Sequence, residues 1–324
     1  MLFRSQAIER LAAHLDGCDA VERWEVAGSF RRGRETIGDL DILLQARDRA
    51  AATEQVLSYG PIAEVIGRGE EKASVRLEGG LQVDFRYFEE ASFGAALLYF
   101  TGSKAHNVAL RKRAQQEGWK LSEYGLTKGQ KTLAGKTEQQ IYDKLGLSYV
   151  PPELREDRGE FEAAERDALP ALIEARHVRG DLQSHTTASD GTASIEEMAE
   201  AARSRGYEFF AITDHSKAVR VANGLDEERL RRHADAIREV DAGLDDLWLM
   251  AGVEVDVLKD GSLDIDENLL EQLDWVVAST HYYLELDRKA QTERLVRAIR
   301  SGVVHCVGHP LGRILGRREP IEID

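Results

Sequence analysis

The 324-residue chain carries 43 lysine and arginine side chains against 58 aspartates and glutamates, a net charge of −15, and 42% of it is hydrophobic. That length points to two or more domains, and the apolar fraction is ample for packed cores. No apolar run is long enough to span a bilayer, the first twenty residues do not resemble a secretory signal, and Cys18 and Cys306 give neither a disulfide framework nor a zinc–cysteine spacing, so a cytoplasmic protein is expected.

The acidic total argues at first against nucleic acid, but its distribution does not. Residues 1–150 hold 21 basic and 21 acidic groups, and the remainder holds 22 and 37. Residues 99–150 hold 9 basic against 4 acidic groups. A DNA footprint is a local patch, which an acidic total leaves possible.

Residues 5–16 predict an amphipathic helix with Ile8, Leu11, Ala12 and Leu15 on its apolar face. Strands are expected at 23–27 and 39–45, a helix near 49–58, and strands near 73–78 and 81–88. Between the first two strands lies Gly28-Ser29-Phe30-Arg31-Arg32-Gly33, then Asp39-Leu40-Asp41. Residues i and i+2 of a strand share a face, so Asp39 and Asp41 point the same way. Such a pair suits a hard divalent cation. Alone the pattern is common and reads rather as an exposed strand with solvated charges. The small-residue turn adds backbone N–H groups and a hydroxyl, and Arg31 and Arg32 add fixed positive charge, a set that suits a polyphosphate. A third carboxylate, Asp84, sits in Leu81-Gln82-Val83-Asp84-Phe85-Arg86-Tyr87, which alternates like a half-buried strand. Three carboxylates on neighbouring strands can hold two metals that clamp the attacking and leaving oxygens of a phosphoryl transfer.

Residues 92–147 form a separate block. A helix through Ala95–Phe100 ends at Thr101-Gly102-Ser103, and a second runs through Ala105–Arg113, carries Arg111-Lys112-Arg113 and stops at Gly118. The three cations alone are a solvated helix face. Trp119–Leu126 reads as strand and turn, and Thr137-x-x-Gln140 opens a short capped helix. Val150-Pro151-Pro152 marks a boundary, and the acidic stretch to 178 reads as a linker.

From 179 the pattern changes to strands near 179–183, 208–213, 247–257, 274–279 and 302–307, with helices near 194–205, 226–240 and 287–301. Alternating βα units suggest a parallel sheet or barrel. Potential metal ligands stand at the strand ends: His185 and Asp190, then Asp214 and His215, then Glu254 and Asp256, then His281, then His309. In βα barrels, chemistry gathers at these ends because the loops converge there. Singly, each histidine reads as a surface or cap residue. Four of nine fall at strand ends, which favours a hydrolytic metal site that could activate water as hydroxide.

Together these motifs resemble the bacterial and archaeal family X DNA polymerases, which join a polymerase to a C-terminal PHP (polymerase and histidinol phosphatase) domain. The resemblance covers essentially the whole chain and implies an α+β nucleotidyltransferase palm and thumb, followed by an incomplete α/β PHP barrel. The implied domains are a palm at 1–91, a thumb at 92–149, a linker at 150–178 and a PHP metallo-phosphoesterase domain at 179–324. It implies that Asp39, Asp41 and Asp84 are the catalytic, metal-binding aspartates, with Mg²⁺ or Mn²⁺. Gly28, Ser29 and Arg32 would receive the nucleotide, and Tyr99, Phe100, Gly102, Asn107 and Arg111 would pack on the nascent base pair. PHP domains usually hold three metals, here Zn²⁺ or Mn²⁺. Gln183 replaces the first histidine of the opening His-x-His motif, leaving one site with His185 and Glu254. A second would hold Glu254, His281 and His309, and a third Asp190 and His215. The expected segments before the palm, a lyase domain and fingers, and the closing PHP motif are not in this sequence.

The implied function is gap-filling or repair DNA synthesis on a DNA primer-template with dNTPs, with an associated 3'-5' exonuclease. The alternatives are a metal-dependent 3'-end phosphoesterase whose polymerase half only holds DNA, and a fragment that binds DNA weakly or not at all. A monomer is the default, with no membrane partner.

Overall fold

The computed structural model describes residues 2–324, which divide into two compact units, 2–171 and 172–324. No described helix is long and apolar enough to cross a membrane.

The first unit opens with α1 (Leu2–Asp16), whose Leu11 and Leu15 are buried. Next come β1 (Arg23–Val26), the single-turn helix α2 (Gly28–Arg31), β2 (Asp39–Gln45), α3 (Arg49–Leu57), β3 (Ile62–Arg68), β4 (Lys72–Leu77) and β5 (Gln82–Tyr87). The sheet order is β1-β2-β5-β4-β3, with β2 and β5 parallel and the other pairs antiparallel. Strand alternation sets both faces of β2. Leu40, Ile42 and Leu44 pack with Leu11, Leu15, Val56, Val83 and Phe85. Leu43, on the face of Asp39 and Asp41, packs instead on Phe93, Ala96 and Leu97. The aspartate face therefore runs directly into the segment that follows the sheet. β3 was not expected from the sequence: beyond Ile62 its residues are all exposed, as an edge strand allows, so it carries no apolar alternation. The stretch read as a Gly-Ser turn closes as α2, with Arg31 N–H and Arg32 N–H bonded back to Ala27 and Gly28 carbonyls.

After the sheet come α4 (Phe93–Thr101), α5 (Lys104–Gln116), the strands β6 (Lys120–Ser122), β7 (Gly125–Lys128) and β8 (Lys131–Ala134), then α6 (Glu138–Lys144) and α7 (Glu160–Glu165). Ser103 caps α5 by accepting His106 N–H at 3.2 Å, and Thr137 caps α6 by accepting Gln140 N–H at 3.3 Å. The acidic stretch read as a linker is folded over much of its length. Val150, Phe161 and Ala164 join the core made by α4, α5 and α6, and the unit boundary falls after Ala171. Composition hid this because the stretch is anchored by buried charge.

Arg155 is fully buried; its Nη1 donates to Glu138 Oε1 at 2.6 Å and its Nε to the Val150 carbonyl at 2.9 Å. Glu138 also takes both Arg31 Nη atoms at 2.8 Å. Burial pushes the Glu138 carboxyl up, but the two guanidiniums outweigh it and hold its pKa at about 2. Glu138→Ala leaves two arginines without their shared partner. The expected loss is ~3–5 kcal/mol of stability in urea unfolding, because an uncompensated buried charge remains.

His106 is likewise fully buried, with Nδ1 2.8 Å from Glu160, Nε2 2.8 Å from the Tyr142 hydroxyl, and its ring stacked on Phe161. Burial outweighs the Glu160 contact and lowers its pKa to about 4 from 6.5. A depressed histidine binds its proton more readily in the unfolded chain. Its stabilising effect is complete above pH 6.5 and is lost as pH falls toward 4. His106→Gln should flatten the fall in stability between pH 6.5 and 4.5 by about 2–3 kcal/mol relative to the parent chain, read by urea unfolding at each pH. An unchanged slope would contradict this.

The second unit contains β9 (Gly180–Asp181), α8 (Ile195–Ser204), β10 (Phe209–Ile212), α9 (Glu227–Asp241), β11 (Trp248–Asp256), α10 (Glu267–Leu270), β12 (Trp275–Ser279), α11 (Arg288–Arg300) and β13 (Cys306–Gly308). All four strand pairings are parallel and the sheet order is β13-β12-β11-β10-β9, sequential along the chain. This is the sequence of strands in a partial barrel. The last strand is shorter than 302–307. The His305 ring occupies the ladder position: its Nδ1 accepts Val276 N–H at 3.1 Å, so strand pairing begins only at Cys306.

Candidate active sites

In the first unit, the parallel register sets Asp41 directly opposite Asp84, and Asp39 opposite Gln82. The three aspartates thus share one face at one end of two adjacent strands. Asp84 is 5% exposed, Asp41 half-buried and Asp39 exposed. Burial and the neighbouring Asp39 raise the Asp41 pKa. Burial also pushes Asp84 up, but hydrogen bonds from Lys72, Ser74 and Gln82 outweigh it and hold that pKa below the usual range. Lys72 Nζ lies 2.6 Å from Asp84 Oδ2, and Arg86 Nε lies 3.6 Å from Asp41 Oδ1. The three carboxylates are an all-oxygen donor set of the kind hard cations take. Among the described residues they do not form a group with all ligand atoms within 4.8 Å.

Lys72 and Arg86 were not singled out from the sequence. Arg86 could have been, since it stands two residues after Asp84 on the same face. Lys72 needed the register, which pairs Lys72 with Arg86 and Ser74 with Asp84.

Gly28 sits against this face at φ +67°, a conformation that favours glycine, and a Cβ there would lie 3.1 Å from Asp41 Oδ2. Gly28→Ala should therefore displace Asp41 and weaken binding of a divalent cation to the three carboxylates, measured by Mn²⁺ titration, while Tm shifts only slightly.

The two arginines after Ser29 differ in role. Arg31 is committed to Glu138 and the Thr101 hydroxyl, at 2.8 Å each, and is a packing group. Arg32 Nε donates to Glu156 at 3.0 Å and its Nη1 to the Thr101 carbonyl. Gly102, at φ +71°, leaves room for that Nη1, which would lie 3.1 Å from a Cβ. No sequence signal pointed to Glu156, because the contact spans more than a hundred residues.

The α4–α5 residues come together beside the aspartates. The Tyr99 and Phe100 rings meet edge to face at 5.1 Å, and Arg86 lies 4.5 Å over Phe100. Asn107 Nδ2 donates to the Tyr99 carbonyl at 2.6 Å. Arg111 Nε donates to the Asn107 carbonyl at 3.2 Å, with its guanidinium 6.0 Å from the Tyr99 ring. Phe100 and Arg86 therefore connect this segment to Asp41.

In the second unit, the parallel strands bring His185, Asp190, His215, Glu254, His281 and His309 to one edge. Glu254 is at the centre, 2% exposed. Its Oε2 lies 3.2 Å from His185 Nε2 and 3.1 Å from His215 Nδ1, and its Oε1 3.0 Å from His309 Nε2 and 3.5 Å from His281 Nε2. His185 Nδ1 meets Asp190 at 2.8 Å. The ligand atoms of His185, Asp190 and His215 form one group within 4.8 Å, and those of His215, Glu254 and His281 form another. His215 thus joins both groups, a different partition from that expected. Gln183 lies 3.2 Å from His185 Nε2.

These residues fit a cation. The buried Nδ1 atoms of His215 and His281 have no hydrogen-bond partner. At 3.1 Å from Glu254 but out of alignment for a hydrogen bond, the His215 nitrogen and the carboxylate present electron pairs to a common space. Burial works against charge on His185, but Glu254 and Asp190 outweigh it and raise its pKa to about 9. Burial lowers His215, and the Glu254 hydrogen bond raises His309. Burial pushes Glu254 up, yet His185 and His309 against its two oxygens hold it far below the usual carboxylate range.

Two carboxylates named from the sequence play supporting parts. Asp214 is fully buried, accepting from Thr186, Ser189 and His233, and so ties the His185 loop to α9. Asp256 Oδ1 accepts the His281 backbone N–H at 3.2 Å and lies 3.5 Å from its Nδ1, holding the His281 backbone at the strand end.

Comparison with known proteins agrees with this division. The DNA polymerase beta palm family matches residues 5–76, the DNA polymerase beta thumb family 96–156, and the PHP domain family 181–317. The chain is 41% identical over 317 residues to the DNA polymerase/3'-5' exonuclease PolX of Bacillus subtilis, covering 96% of this chain and 55% of that protein. It is 34% identical over 134 residues to a probable phosphatase of Photobacterium profundum, covering 40% of this chain and 52% of the relative. It is 31% identical over 159 residues to DNA polymerase lambda of Rattus norvegicus, covering 40% of this chain and 28% of the relative. The chain spans about half the length of the curated relatives it matches. Both parent families are metal-dependent. With palm, thumb and PHP segments in that order along one polypeptide, the chain belongs to the family X DNA polymerases that carry a PHP domain.

Proposed function

We propose that this chain is a DNA-directed DNA polymerase of repair type with an associated 3'-5' exonuclease. The observation that carries the first activity is the pairing of Asp41 with Asp84 across β2 and β5, with Asp39 on the same face and Gly28 packed against it. The substrates are a DNA primer-template or gapped DNA and dNTPs. The primer 3'-hydroxyl attacks the α-phosphate in line, and pyrophosphate leaves. Asp39, Asp41 and Asp84 would hold Mg²⁺ or Mn²⁺, which when bound lowers the pKa of the hydroxyl and neutralises the leaving group. The Gly28 amide and the Ser29 hydroxyl receive the triphosphate. Arg32 joins them by exchanging the Glu156 carboxylate for phosphate oxygens. Tyr99, Phe100 and Gly102 pack on the nascent base pair, with Asn107 and Arg111 fixing the Tyr99 backbone and ring.

In the second unit, His185, Asp190, His215, Glu254, His281 and His309 would hold Zn²⁺ or Mn²⁺, supplying hydroxide for phosphodiester hydrolysis. The crowding of four imidazoles around one buried carboxylate supports this part. The Bacillus subtilis relative is named for both activities.

The test is a primer-length gel on a gapped template with Mn²⁺, with and without dNTPs. Lengthening only with dNTPs supports synthesis. Its absence, with shortening in the dNTP-free lane, leaves the hydrolytic half alone.

A further inference from the structure

The loop directly after His281 carries two tyrosines that neither activity has used. Tyr282 and Tyr283 are 40% and 42% exposed, two adjacent aromatic side chains directly after a residue of the buried polar cluster. The loop is not loosely held. Gln291 and Arg294 of α11 are 0% and 2% exposed, and they grip its carbonyls. Gln291 Nε2 donates to the Tyr283 carbonyl at 2.6 Å, and Arg294 Nη1 donates to the Tyr282 and Tyr283 carbonyls at 3.0 and 3.3 Å. Arg294 Nη2 is bonded in turn to the Val257 carbonyl, one residue beyond Asp256, which accepts the His281 backbone N–H. Tyr283 adopts φ +58°, a left-handed conformation that a side-chain-bearing residue keeps only where its surroundings impose it. Two buried polar side chains are therefore spent on fixing the backbone under two exposed rings.

We infer that Tyr282 and Tyr283 form a stacking platform for the unpaired nucleobases at a DNA 3' end, delivering the terminal phosphodiester to the His281 edge. The inference rests on the exonuclease reading above. An aromatic face accepts any base, so the platform is indifferent to sequence and requires the base to be unstacked from a duplex. It selects frayed or single-stranded 3' ends over paired ones. Gln291 and Arg294 act through the tyrosines and are positioning residues.

The experiment uses the intact chain with Mn²⁺ and two end-labelled oligodeoxynucleotides of equal length. One has natural bases, and the other has abasic tetrahydrofuran residues at its last two 3' positions. The wild-type chain should shorten the natural end at least tenfold faster, with the difference mainly in KM. Tyr282→Ala/Tyr283→Ala should lower the rate on the natural end to that on the abasic end, and should not change the rate on the abasic end. The Tyr282→Phe/Tyr283→Phe variant, which keeps the rings, should behave as wild type. Equal wild-type rates on the two ends overturn the platform while leaving the exonuclease in place, and this arm needs no variant to fold. Failure of the wild-type chain to shorten either oligonucleotide overturns the exonuclease reading and the platform with it.

Discussion

Asp84→Ala should abolish primer extension while dNTP binding and the fold persist. Asp84 faces Asp41 across the β2–β5 ladder and is the most buried of the three aspartates. Its carboxylate is held ionised by Lys72, Ser74 and Gln82 despite burial. A carboxylate that holds the cation activating the primer hydroxyl, as proposed for Asp84, acts on the transition state rather than on ground-state binding. The expected loss in the single-turnover rate is at least ~10³-fold, or about 4 kcal/mol of transition-state stabilisation. The dNTP dissociation constant should change by less than ~3-fold, because Gly28, Ser29 and Arg32 are untouched. Retained turnover would remove Asp84 from the catalytic set. A parallel loss of dNTP binding would make it a binding group instead.

Glu254→Gln should separate the two activities. Glu254 contacts His185, His215, His281 and His309 and belongs to one of the two ligand groups. Glutamine keeps the shape and removes the charge that holds four imidazoles together. Hydrolysis of single-stranded 3' ends should fall by at least ~10³-fold, as expected when a group that acts as part of a unit is removed. Bound Mn²⁺ or Zn²⁺ per chain, measured after dialysis, should fall with it. Primer extension should be unchanged, since Asp39, Asp41 and Asp84 belong to a separate compact unit. Loss of both activities together would contradict independent sites.

Much of this was legible in the sequence because it is local. The Asp-x-Asp face follows from strand periodicity, α5 from its stop at Gly118, α6 from its Thr137 cap, and the histidines at strand ends from the alternation of apolar strands and helices. The family resemblance rests on those same local motifs. Two features were not legible. β3 is an exposed edge strand, and exposure removes the apolar alternation by which strands are recognised. The 150–171 stretch reads as a solvated linker because its composition is acidic, yet Arg155 and Glu160 are buried in partnership with Glu138 and His106. A buried ion pair is invisible in composition, since each charge looks exposed until its partner is known.

The site divides in the same way. The sequence by itself determined which residue types stand at the strand ends and which face each strand presents, because backbone periodicity dictates both. Only the tertiary structure decided that Asp41 meets Asp84, that Lys72 joins them, that Arg32 is held by Glu156, and that His215 belongs to both ligand groups. Each of those contacts depends on strand register or on the packing of segments far apart along the chain. Local propensity does not set the register or that packing; burial of the whole apolar face does.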